Sequence, residues 1–186
     1  MPTTDLGRQG HVVLRPARPN DHDAEATRQI YNLEVTTSTV TFDLVPRSLE
    51  EQRRWIGARS GAHAVVVAEQ RLGGDARSAG NEGEIVGFGS LSPWRDRPAY
   101  STSVEDSVYV RRDYQGRGVG KTLLAELVRV GRAHGFHAVF ARIVGGHESS
   151  VALHRSLGFE VVGTEREVGR KFGKWLDVVV MELLLT

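Results

Sequence analysis

The 186-residue chain contains no cysteine, which excludes a disulfide framework, a thiolate metal site and a cysteine nucleophile. No apolar run is long enough to span a bilayer, and the N-terminus lacks the basic-then-apolar layout of a secretory signal. The expected location is therefore cytoplasmic, with no membrane partner. Charge of one sign is not in excess either. The 24 Lys and Arg are interspersed with 23 Asp and Glu for a net charge of +1, so there is no broad nucleic-acid footprint. Internal repeats and low-complexity tracts are also missing. What is present is an ordinary globular composition, 40% hydrophobic and 25% charged, in a length that suits one domain with a substantial core. A small-molecule partner is the default expectation.

Residues 1–10 are polar and aperiodic and read as a mobile extension, with a single domain over 11–186. His11 to Arg15 reads as a strand stopped by Pro16 and Pro19. Asn20 or Asp21 can cap a helix that ends near Thr36 and carries Ala24, Ile30, Leu33 and Val35 on its apolar side. The next segment, TTSTVTFDLVP, is either a loop that tucks Phe42 into the core or a wall of a substrate pocket. Ser48 and Glu51 form a capping box for a short helix through Arg59, anchored by Trp55 and Ile56.

Strands follow at Ala64 to Ala68 and Glu84 to Leu91, with RLGGDARSAGNEG between them as an exposed connection too polar to pack. After the irregular PWRDRPAYS come a strand ending at Val110 and a helix closed by Gly135. A strand over Ala138 to Val144, a helix over Glu148 to Leu157 with Gly158 as its stop, and strands over Phe159 to Thr164 and Leu176 to Leu185 complete the chain. The first strands join without helices between them. The expected class is α/β (α+β), with a mixed, mostly antiparallel central sheet flanked by helices rather than a doubly wound parallel sheet.

The chemistry centres on VEDSVYVRRDYQGRGVGKTLL, residues 104–124. An apolar strand runs through a charged corner into Gly116, Gly118 and Gly120, and then into a periodic apolar helix. Glycines let backbone approach a ligand, and the first turn of a helix offers unpaired N–H groups and partial positive charge. Arg117 and Lys121 add full charges, so a phosphate or pyrophosphate is the expected guest. A Walker loop fails because Gln115 stands where its first glycine is required. A dinucleotide fingerprint fails because Lys121 or Leu123 falls at its last glycine.

Gln115, Gly118 and Gly120 directly after VYV instead resemble the pyrophosphate loop of the GNAT superfamily of acyl-CoA-dependent N-acyltransferases. IYNLEV with STVTFD, WRDRPAYSTSVEDSVYV, and HESSVALHRSLGF with VGRKFGKWLDVVVM narrow the likeness to the phosphinothricin and methionine sulfoximine N-acetyltransferase family, over about residues 11–184. The resemblance implies the GNAT fold, acetyl-CoA as donor and no metal. It also implies a small amino acid or analogue as acceptor, and a homodimer.

Carried over residue by residue, the resemblance implies that Val108, Tyr109 and Val110 offer backbone groups to the pantetheine arm. Gln115, Gly116, Arg117, Gly118, Val119, Gly120 and Lys121 would hold the pyrophosphate, with His147 and Ser150 beside the arm. His147 stands where the superfamily often has asparagine, and either ring nitrogen can make a similar hydrogen bond. Glu105 matches the family's catalytic glutamate; an amine that arrives protonated needs a base before it attacks a thioester. Asp106 falls on the opposite strand face.

His154 stands where relatives place a tyrosine that protonates the CoA thiolate. It is either that acid or a packed helix histidine. For the acceptor, Arg97 and Tyr100, with Phe42 and Lys171, come from segments that resemble the family's substrate loops. Trp94 and Trp175 read as core or interface anchors, and the remaining histidines show no metal-like spacing. The rival readings are a GNAT enzyme for another amine (a polyamine, an antibiotic or a protein N-terminus) and a noncatalytic acyl-CoA sensor.

Overall fold

The computed structural model describes residues 11–71 and 82–185. The expectation for residues 1–10, and most of that for the 70–83 connection, lie outside the described residues. Seven strands form one sheet: β1 (His11–Pro16), β2 (Val66–Arg71), β3 (Glu84–Pro93), β4 (Ser103–Val110), β5 (Ala138–Val144), β6 (Glu160–Lys171) and β7 (Lys174–Leu184). Their order is β1-β2-β3-β4-β5-β7-β6. Every neighbouring pair is antiparallel except β4 and β5. The helices are α1 (Asp21–Thr37), α2 (Leu49–Gly57), α3 (Val119–Ala133) and α4 (Glu148–Arg155).

Two cores lie on opposite faces. On one, Leu123, Leu124 and Leu127 of α3 and Val151 of α4 pack on Val104, Val139, Ala141 and Met181. On the other, Ala24, Ile30 and Val35 of α1 and Ile56 of α2 pack on Val67, Ile85 and Phe88. Gly87 and Gly89 let α3 lie close on β3, since a Cβ there would meet Leu123 Cδ1 at 3.1 Å and Leu127 Cδ1 at 3.0 Å. That approach sets the N-terminus of α3 beside the end of β4.

Both expected N-terminal caps form. Asn20 accepts from the Asp23 N–H, and Ser48 and Glu51 bond reciprocally. Asp23 does more than start α1. Its carboxylate is fully buried and takes two bonds from the Arg15 guanidinium, at 2.5 and 2.9 Å. Arg15 Nε also reaches Glu69 of β2, which is 1% exposed and accepts from Arg71 and the Gly83 N–H as well. Burial alone would raise both carboxyl pKa values. The bonds from Arg15 and its neighbours outweigh burial, holding Asp23 far below its ordinary value and Glu69 at about 2.

Three expectations are corrected. Leu33 is 41% exposed rather than buried, so the apolar stripe of α1 is narrower than its sequence suggests. β2 runs to Arg71 instead of ending at Ala68. β6 extends to Lys171 because it pairs along β7 despite its polar sequence, through register shifts at Val161/Gly163 and Glu165/Gly169. The second shift contains Glu167 in left-handed backbone, φ 51°, with its N–H bonded to Asp177 Oδ1 at 2.7 Å.

Candidate active site

Among the described residues, the only parallel joint of the sheet is also its shortest. β4 and β5 pair at Ser103–Ala138, Val104–Val139 and Glu105–Phe140 and then part. Val108, Tyr109 and Val110 continue to pair with β3 on their other side. Their edges towards β5 carry no ladder, the splayed arrangement that the resemblance implies for a cofactor arm. The Tyr109 ring stacks on Phe88 and meets Tyr31 edge-on. The backbone thus faces the gap while the side chain serves the core.

Beyond Val110 the chain turns through Gly116 and Gly118, at φ 73° and 84°, with nothing within 4 Å of the place a Cβ would occupy. Gly118 is the N-cap of α3 and supplies no side-chain cap. The first-turn N–H groups of α3 are therefore left for a ligand. Gly120 has another role, because a Cβ there would meet Leu153 and Val110 at 3.4 and 3.6 Å, in the seam between α3, α4 and β4. Arg111 is paired with Glu84 and Asp113, and Arg112 with Glu34 and Thr37. Arg117 and Lys121 make no ion pair among the described residues. Arg117 instead lies 4.8 Å from the Tyr114 ring centroid.

Glu105 sits where the ladder stops, half-buried, on the α1/α2 face of the sheet. Burial raises its pKa above the ordinary carboxyl value; Arg142 and Arg95 oppose this, while Asp106 and Glu165 add to it. Such a carboxylate keeps a stronger hold on a proton than one in water, which suits a base. Phe140, its ladder partner, is stacked under Trp94 at 4.2 Å, which gives Trp94 its anchoring place.

The segment between α1 and α2 is tied down at several points. Tyr31 Oη reaches Thr41 and Asp43, Lys171 Nζ donates to the Thr41 carbonyl at 2.8 Å, and Thr39 meets His147 Nε2 at 3.2 Å. Phe42 packs against Gly169 of β6, where a Cβ would stand 2.6 Å from its Cζ. Phe42 and Lys171 are thus brought together, with Lys171 3% exposed and its ammonium engaged by protein. Arg97 and Tyr100 line a different space, a cavity of about 400 Å³ with Arg95, His63 and Phe136 at the N-terminal end of β4.

The family model described as Acetyltransferase (GNAT) family matches residues 27–159, which contain the parted strands, the glycine turn and Glu105. The chain belongs to the GNAT family of acetyltransferases. An L-methionine sulfoximine/L-methionine sulfone acetyltransferase of Pseudomonas paraeruginosa is 38% identical over 84% of this chain and 86% of its own. A phosphinothricin N-acetyltransferase of Streptomyces coelicolor is 40% identical over 92% and 95%. Among solved structures, a GNAT phosphinothricin acetyltransferase from Sinorhizobium meliloti in complex with AcCoA superposes with a TM-score of 0.81 at 36% identity, covering 94% of this chain and 88% of that one.

Within this GNAT domain, sequence reasoning gave Asp106 little weight. The structure buries Asp106 against α4, where Oδ2 lies 3.2 Å from His154 Nε2 and Oδ1 has no hydrogen-bond partner. His154 Nδ1 faces the Ser150 carbonyl at 2.7 Å. Both ring nitrogens thus face oxygens that accept, a demand that imidazolium meets in full. Burial lowers the His154 pKa, but the Asp106 bond, the Asp106 charge and the Ser150 carbonyl together leave it raised above 6.5. Neither nitrogen is left over for a departing thiolate in this arrangement, and the ion pair fastens α4 to β4.

Because the folded-state value is raised, the pair contributes its full stability below 6.5 and loses it as pH rises through the raised value. The melting-temperature advantage of the wild type over His154→Gln should be full below 6.5 and shrink as pH rises through the raised His154 value. A pH-independent gap in thermal melts would rule out the charged pair.

Proposed function

We propose that this acetyltransferase moves the acetyl group of acetyl-CoA to the α-amine of a small amino acid analogue by direct attack in a ternary complex. Phosphinothricin, methionine sulfoximine and methionine sulfone are the best acceptors in this reading. The observation that carries it is Glu105, a half-buried carboxylate with a raised pKa at the point where β4 and β5 part. The names of the relatives support the acceptor class.

The residues present suit the donor. The unpaired β4 edge from Val108 to Val110 can bond a pantetheine arm, and the Gln115 to Lys121 turn can take the pyrophosphate on free N–H groups with Arg117 and Lys121 beside it. His147 and Ser150 at the start of α4 flank the arm's path. The donor supplies an activated thioester, and Glu105 accepts the amine's proton. His154 enters as the residue that fixes α4 rather than as the acid. On the acceptor side, Phe42 forms a wall, while Arg97 and Tyr100 line a separate cavity and take no part in this reading. Lys171 acts through the segment that it holds.

The protein is further proposed to work as a cytoplasmic homodimer. No described helix is long and apolar enough to cross a membrane. Val161, Val162, Phe172 and Trp175 expose apolar surface on the outer hairpin, which a second copy can cover.

Thiol release from acetyl-CoA, measured against phosphinothricin, methionine sulfone, methionine sulfoximine, the ordinary amino acids, spermidine and an aminoglycoside, tests the reading. Selective turnover of the first three is expected. Turnover of spermidine or the aminoglycoside instead would transfer the assignment to another amine.

A further inference from the structure

Arg142 carries no role in the sequence reading. It stands on β5 two residues beyond Phe140, the last residue to pair with β4, so strand alternation sets it on the Glu105 face just past the end of the ladder. Glu165 of β6 reaches over β7 and accepts from Arg142 Nη2 at 2.5 Å; both side chains are about one-third exposed. Among the described residues this is the only partner of the guanidinium, so most of its five donors are left for a ligand. Arg142 is also the larger influence of opposite charge on Glu105, ahead of Arg95.

An α-amino acid carries its amine and its carboxylate on the same carbon. A cation that receives that carboxylate must therefore stand close to the base that serves the amine. Lys171 is engaged by the Thr41 carbonyl, and Arg97 lines a cavity whose wall does not include Glu105. A guanidinium fork also suits a planar or tetrahedral oxyanion better than an ammonium does.

We propose that Arg142, steadied by Glu165, receives an oxyanion of the acceptor, carboxylate or phosphinate, and so sets the enzyme's preference for acidic acceptors over plain amines. The inference rests on the proposed acetyl transfer to amino acid analogues. Glu165 keeps the fork extended over β7 and yields part of its hold when a ligand oxyanion arrives.

The test compares kcat/KM for phosphinothricin, methionine sulfone and methionine sulfone carboxamide, which lacks both acidic groups, in the wild type, Arg142→Leu and Arg142→Lys. Arg142→Leu should reduce the sulfone-to-carboxamide ratio by about 10- to 100-fold, the scale of a charge-assisted contact. Arg142→Lys, which keeps the charge and the long stem, should recover part of it and stands in if the leucine variant fails to fold. A loss confined to phosphinothricin assigns the phosphinate, not the carboxylate, to Arg142. Equal losses on all three acceptors, or no loss in either variant, overturn the role. A wild type that binds acetyl-CoA and turns over none of the three overturns the proposed function itself.

Discussion

Glu105→Gln is expected to lower turnover by about 10²- to 10⁴-fold, the usual contribution of a positioned general base, while the dissociation constant for acetyl-CoA stays nearly unchanged. The substitution keeps the shape and removes only the ability to hold the proton. The donor contacts proposed here run through the backbone of β4, the glycine turn and the N-terminus of α3, none of which involves the Glu105 side chain. Single-turnover rates with a saturating acceptor, beside calorimetric binding of acetyl-CoA, separate the two effects. Unchanged turnover would remove Glu105 as the base. The pH profile gives a second reading. Because burial holds the Glu105 pKa above 4.5, the acidic limb of kcat/KM should lie above that value in the wild type and disappear in the variant.

Arg15→Leu should cost about 3 kcal/mol of stability, the scale for removing one partner from a buried ion pair. For a chain of this size that lowers the melting temperature by roughly 6 to 12 °C. The magnitude follows from what remains: Asp23, fully buried, and Glu69, 1% exposed, would both lose the guanidinium that satisfies them. Both carboxyl groups have depressed folded-state values, so their contribution is present above the unfolded values of 3.8 and 4.5 and is lost as pH falls through the folded ones. The deficit of the variant should accordingly be full near neutral pH and narrow below about pH 4.5. Melts across that range check it. A deficit of less than about 1 kcal/mol would place the cluster with ordinary surface pairs.

Local signals made parts of the site legible. The spacing of Gln115, Gly118 and Gly120 identified the turn before α3, and strand alternation put Asp106 and Glu105 on opposite faces, as found. Capping chemistry gave the starts of α1 and α2. The rest depends on partners far apart in sequence. Lys171 reads as a cation for substrate until the Thr41 carbonyl, 130 residues away, is seen to take it. Arg112, next to the glycine turn in sequence, is held by Glu34 from α1, a pairing no local pattern announces. No periodic pattern in EREVGRK announces a strand, because the outer hairpin is held by backbone pairing with β7 rather than by a buried face. His154 was legible as a helix residue of ambiguous role, and a buried carboxylate 48 residues upstream narrows it.

The three-position joint between β4 and β5 has a mechanical consequence. The sheet is in effect two panels, β1 to β4 and β5 to β7, each laced internally by longer ladders and hung together on that short spine. Swinging one panel against the other would break few main-chain bonds, so the resistance beside Glu105 comes from the α3/α4 core that spans both panels. A chain rich in amides laid into the gap would act as a splint across the spine. Loading with donor would then stiffen the whole sheet, and rigidity would rise with readiness for transfer.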